Sequence, residues 1–137
     1  MTEINNRKQD YEQLAAFRYK IRQFMRFSEQ AARDLGITPQ AHQLMLMIMG
    51  FPGRDFATPT ELAERLQIIH HSCVGLISRC EEQGLVVKAI NPDDGRSVFV
   101  KLTDKGLQAL EDLSAIHIQE LNHLGFKLAT ESVKREE

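Results

Sequence analysis

Between His70 and Gln83 the chain interleaves two kinds of residue. Cys73, Leu76, Ile77 and Cys80 fall at i, i+3, i+4 and i+7, the spacing of one buried helical face. His70, His71, Ser72, Val74, Gly75 and Ser78 are left on the outward side, near the start of the same helix. Imidazoles and hydroxyls in that position can both donate and accept hydrogen bonds. A helix that reads DNA touches base edges and phosphates mainly with its N-terminal turns. The chemistry these residues suit is recognition, and Thr60 and Arg79 complete this helical group of candidate DNA-binding residues.

Other chemistries fit less well. Cys73 and Cys80 sit on the inward stripe, where a thiol behaves as a small hydrophobe. A redox switch needs an exposed thiol beside a cation, and Arg79 is the one cation adjacent in sequence. Two cysteines seven apart on one helix do not readily bridge, which points to a reduced, cytoplasmic setting. His70 and His71 are neighbours, and His117 and His123 are six apart. Neither pair has the i, i+4 spacing that would bring two imidazoles to one ion, although His42 could approach His117 in the fold. No metal and no other cofactor is expected. The chain has no nucleophile elbow, phosphate loop or paired-carboxylate motif, so no enzyme is expected either.

The elements that must position these residues are well marked. Thr58-Pro59-Thr60-Glu61 combines an N-cap, a proline suited to the first helical position and a capping-box partner. Leu62, Ala63 and Leu66 then line one helical face. After the second helix, Gly84 is a stop signal. Val86–Ile90 and Ser97–Leu102 are rich in β-formers, and Asn91-Pro92-Asp93-Asp94-Gly95 between them is dense in turn formers. Two short helices across a three- to four-residue turn, followed by a hairpin, predict a winged helix-turn-helix over 38–103.

Around this unit the chain is helical. Residues 8–36 hold an amphipathic helix with the stripe Leu14, Phe17, Ile21, Phe24, Ser28, Ala31 and Leu35, ending at Gly36. This helix carries seven basic and three acidic residues between Arg7 and Arg33, which reads as a solvated face. Thr38-Pro39 restarts a helix whose run Leu44–Met49 is apolar all round, the mark of a central core helix. Residues 104–130 hold a last helix, capped by Thr103, with the stripe Leu107, Leu110, Ser114, His117, Leu121, Leu124 and Leu128. Gly125 is expected to interrupt it, and Ser132–Glu137 to fray.

Bulk numbers set limits. A chain of 137 residues with 42% hydrophobic and 26% charged content fits one globular domain, 1–137, with a real core. No run approaches the ~18 apolar residues of a membrane span, and the polar start MTEINNRKQD lacks the apolar centre of a signal peptide. The net charge is −2, and Thr58–Thr103 holds five basic against six acidic residues. Any DNA binding must rest on a few placed cations and helix N-termini rather than a basic field.

The run Glu61-Leu-Ala-Glu-Arg-Leu, then Glu81-Glu-Gln-Gly-Leu85-Val-Val, then Asp94-Gly95-Arg96 leading into Val100-Lys-Leu-Thr-Asp-Lys-Gly106, resembles the multiple antibiotic resistance regulator (MarR) family. The resemblance covers roughly Leu14 to Leu124, and the Asp-x-Arg wing before Leu-Thr-x-x-Gly is its most specific piece. The family's wing arginine and aspartate match Arg96 and Asp94. The resemblance then implies that Asp94 orients the guanidinium so that it enters a minor groove or meets phosphate. Two departures stand out: Ile69 where a polar cap is usual, and Gly75 where arginine is frequent.

The fold implied is mainly α with a small β-hairpin wing, a winged helix-turn-helix flanked by N- and C-terminal dimerisation helices. Leu14, Phe17, Ile21, Phe24, Leu107, Leu110, His117, Leu121 and Leu124 are the expected dimer surface, in a tail shorter than the family usually carries. The function implied is a sequence-specific transcriptional regulator. It would act as a homodimeric repressor on double-stranded DNA, released when a small-molecule effector enters the cleft between dimer helices and winged unit. The alternative is a winged-helix protein-interaction module, or a degenerate relative without operator binding.

Overall fold

Thr58 turns the sequence's clearest punctuation into geometry. In the computed structural model its Oγ1 accepts from the Glu61 N–H at 3.2 Å, while Glu61 Oε1 accepts from the Thr58 N–H at 2.9 Å. That reciprocal capping box starts helix α3, Pro59–Leu66. The structure describes residues 2–128, with side chains from residue 7 onward. The other elements are α1 (Thr2–Asp34), α2 (Pro39–Met49), β1 (Phe56–Ala57), α4 (His70–Glu82), β2 (Val86–Ile90), β3 (Val98–Leu102) and α5 (Asp104–His123). Thr38 caps α2 as Thr58 caps α3, its hydroxyl accepting from the Ala41 N–H at 3.1 Å. Among the described residues no helix is long and apolar enough to cross a membrane.

By its contacts the chain groups into two compact units. One is Ala32–Ser114; the other joins α1 as far as Ala31 with the chain from Ala115 on.

In the Ala32–Ser114 unit, Ala41, Leu44, Met45 and Ile48 of α2 are buried with Leu62, Ile77, Leu85, Val86, Val100 and Leu113. The run Leu44–Met49 is not buried all round as expected, because Leu46 and Met49 lie on an exposed face. Strands β2 and β3 pair antiparallel from Val86↔Leu102 to Ile90↔Val98. Strand β1 then adds itself to the far edge of β3 through Phe56↔Lys101 and Ala57↔Val100, giving the order β1-β3-β2. Two residues are too few for period-two alternation to register, so this stretch reads as loop in the sequence.

In the other unit, the polar members of the two helical stripes find each other. Ser28 Oγ and His117 Nε2 lie 2.8 Å apart. The Phe24 and Phe27 rings stand T-shaped to the His117 imidazole, with centroids at 5.7 and 5.5 Å. Two of the expected dimer residues therefore need correction, since Leu110 and His117 are buried within a single chain. Helix α5 also stops at His123, well short of residue 130. Gly125 takes φ +91°. The Phe126 N–H donates back to the Leu121 carbonyl at 2.8 Å, so the chain turns there and brings Phe126 edge-on to Phe17 at 6.2 Å. Residues 129–130 and the expected frayed end, Ser132–Glu137, lie outside the described residues.

Candidate nucleic-acid interface

Helix α4 is anchored by its inner stripe: Cys73, Leu76, Ile77 and Cys80 are all buried. The outward candidates follow from that anchoring. His70, His71, Ser72, Val74 and Arg79 are exposed, and Gly75 and Ser78 half-buried. Thr60, in the first turn of α3, is exposed as well. The N-cap of α4 is Ile69, which is 71% exposed and makes no side-chain cap. Helices α2 and α3 each satisfy an early N–H group with a threonine hydroxyl, whereas α4 has no side-chain cap. Gly75 has a neighbour that its sequence context does not reveal. A Cβ there would sit 3.4 Å from Arg79 Nη1, so the guanidinium folds back one turn over the bare glycine.

The wing's turn is a small network. Asn91 Nδ2 donates to Ser97 Oγ at 2.9 Å, and the Asp93 N–H donates to Asn91 Oδ1 at 2.9 Å. Asp94 Oδ1 accepts from the backbone N–H of Arg96 at 3.0 Å. Among the described residues no ion pair joins Asp94 to the guanidinium of Arg96. The expectation that Asp94 orients that group directly becomes a different one: Asp94 fixes the backbone from which exposed Arg96 projects. At the other end of the hairpin, Lys88 Nζ lies 3.5 Å from Glu81 Oε1 and ties β2 to the end of α4. That pair is well exposed and contributes only about 0–1 kcal/mol.

None of the ten candidate DNA-binding residues is buried, and all fall in the Ala32–Ser114 unit. Burial pushes the Cys73 thiol up, and the Cys80 thiol to about 11 despite the charge of Arg79. Both stay protonated and poorly nucleophilic at neutral pH. Among the described residues no group of three or more His, Cys, Asp or Glu is arranged to hold a metal.

Residues 35–97, which span the helix pair and the wing's turn, match the sequence model of the MarR family. The fold is the winged helix-turn-helix seen in solved MarR-family proteins. The MarR-family transcription regulator SP03579 has the same fold, with a TM-score of 0.78 over 99% of this chain and 87% of its own, at 22% identity. A MepR variant from S. aureus, solved bound to an oligodeoxyribonucleotide, superposes with a TM-score of 0.67 at 21% identity, covering 92% of this chain and 89% of that one. The homoprotocatechuate degradative operon repressor of Escherichia coli is 31% identical over 84 residues, which are 61% of this chain and 54% of that protein. The chain spans between 51% and 66% of the length of the curated relatives it matches.

The Ala32–Ser114 unit also places residues outside any motif at the interface's framework. Arg54 and Phe56 sit in a stretch read only as loop. The glycine of the Leu-Thr-x-x-Gly motif, Gly106, lies against the Leu85 carbonyl rather than in a turn. In the sequence this loop is marked by its dense run of Gly, Pro and Phe at 50–56.

Proposed function

We propose that the chain is a sequence-specific, DNA-binding transcriptional regulator of the cytoplasm, acting as a homodimeric repressor rather than as an enzyme. The observation that carries this reading is the joint presentation, in one unit, of an uncapped α4 with an outward polar face and a rigid turn bearing exposed Arg96. The N-terminal turns of α4, with His70, His71 and Ser72, would meet base edges and phosphates. Arg96 would reach a minor groove or phosphate. The MepR variant bound to an oligodeoxyribonucleotide and the operon repressor of E. coli support the same reading by likeness.

The dimer rests on α1. Leu14 is 62%, Phe17 54% and Ile21 38% exposed in the single chain, a stripe too apolar to face water. A groove of about 560 Å³ within the Ala32–Ser114 unit, lined by Leu35, Ile37, Leu85, Lys105 and Asp112 among others, gives a small effector a place to act. The near-neutral charge of the winged unit favours a second reading, a protein-interaction module.

Mobility shift against the DNA upstream of the gene, at two salt concentrations, tests the choice. A DNA reader binds that fragment more tightly than unrelated DNA, with log affinity falling linearly against log salt. Equal, weak binding to both fragments would favour the interaction module.

A further inference from the structure

Arg54 belongs to no motif and stands in the loop between α2 and β1, yet it is the hub of the unit's densest cluster of cation and aromatic contacts. Its Nη2 is ion-paired with Glu61 Oε2. Glu61 is also the capping-box residue of α3, so one carboxylate serves both the helix N-terminus and the loop. The guanidinium covers the Phe51 ring at 4.0 Å from its centroid and stands 5.0 Å from that of Phe56. Arg65, from the last turn of α3, lies over the same Phe51 ring at 4.7 Å. Phe56 in turn stacks on Phe99 of β3, with centroids 4.4 Å apart and the planes tilted by 37°. Contacts thus run unbroken from the start of α3, through Arg54 and Phe56, to the strand that leads out of the wing's turn.

We propose that Arg54 is a positioning residue for DNA recognition, locking the start of α3 to wing strand β3 so that α4 and Arg96 are held in one relative geometry. This rests on the DNA-binding reading above. A direct phosphate contact by Arg54 is the competing role, and the geometry disfavours it. The guanidinium is engaged by a carboxylate and stacked on an aromatic face, and the side chain is only 26% exposed. A cation so neutralised has little left to offer a phosphate. Stacking together with carboxylate pairing suits arginine in particular, since a lysine ammonium supplies neither planar face nor fork.

The test compares Arg54→Ala, Arg54→Lys, Glu61→Gln and Arg96→Ala with the wild-type chain on the upstream DNA across a salt series. Circular dichroism and thermal melts run alongside. Glu61→Gln keeps an acceptor for the Thr58 N–H while removing the ion pair, which guards against a variant that simply unfolds. Both Arg54 variants should lose affinity by roughly tenfold, and Glu61→Gln by somewhat less, all at a temperature where each stays folded. The slope of log affinity against log salt should remain at the wild-type value in these three, whereas Arg96→Ala should lower it by about one. Recovery of both affinity and slope in Arg54→Lys, after a lowered slope in Arg54→Ala, would make Arg54 a phosphate contact and overturn the proposal. Unchanged affinity in both Arg54 variants would overturn it too. Failure of the wild-type chain to bind would instead refute the DNA reading itself.

Discussion

Gly106→Ala should destabilise this protein, although it introduces the better helix former into the first turn of α5. The glycine has no unusual φ, so its role is one of distance. A Cβ at that position would lie 2.1 Å from the Leu85 carbonyl oxygen and 3.1 Å from its carbon. Relieving the clash means moving α5 away from Leu85 by about an ångström. The movement strains three hydrogen bonds that meet there: Thr103 N–H to Leu85 O at 3.0 Å, Thr103 Oγ1 to Gly84 O at 2.6 Å, and Gly106 N–H to Thr103 Oγ1 at 3.0 Å. Overpacking costs about 1–3 kcal/mol and a weakened N-cap about 1 kcal/mol, against a propensity gain of about 1 kcal/mol. The net loss is about 1–3 kcal/mol, a fall in melting temperature of roughly 5–10 °C for a chain of this size. Thermal melts and urea unfolding measure it, with two other glycines as controls. Gly95→Ala meets no atom within 4 Å and should be near neutral. Gly84→Ala has room but a φ of +77°, so it should cost about 1–2 kcal/mol from left-handed strain alone. A Gly106→Ala chain that melts within about 2 °C of wild type would refute the close-approach argument.

Arg96→Ala should weaken binding to the upstream DNA by about 1–3 kcal/mol while leaving the circular dichroism spectrum and melting temperature near wild type. Glu61 supplies a pH dependence. Burial by itself would raise its pKa, but the Thr58 hydrogen bonds and the charge of Arg54 more than offset that and hold it below the ordinary value. Its contribution to stability is therefore complete above the unfolded-state pKa and is lost as the pH falls through the folded one; Glu61→Gln should flatten that acid limb in urea unfolding. Cys73 and Cys80, buried and with raised pKa values, should react slowly with a thiol reagent at neutral pH in the folded chain and fast in urea, and rapid modification of either without denaturant would contradict the packing. A Leu14→Asp, Phe17→Asp double variant should run as a monomer in light scattering where the wild-type chain runs as a dimer; an unchanged mass would remove α1 from the interface.

What the sequence by itself determined is what neighbours within one helical turn or one tight turn decide. The capping box at Thr58 and Glu61, the proline starts at Pro39 and Pro59, the inner stripe of α4 and the turn-rich 91–95 segment are all patterns of residues close in sequence, and each is present as read. The winged helix-turn-helix followed from their order. Tertiary structure decided whatever depends on residues far apart in the chain. Ser28 and His117 each look like a polar flaw in an apolar stripe, and only packing makes them partners, which also takes His117 out of the expected dimer surface. Strand β1 exists because β3 has an edge to offer, and Arg54 matters because the fold brings Phe51, Phe56 and Glu61 around it. The motif glycine shows the division most clearly. Its position is plain in Leu102-Thr103-Asp104-Lys105-Gly106, but the need for a missing side chain lies twenty-one residues away, in the carbonyl of Leu85. A local pattern can register a steric constraint of that kind, but it cannot show which distant backbone imposes it.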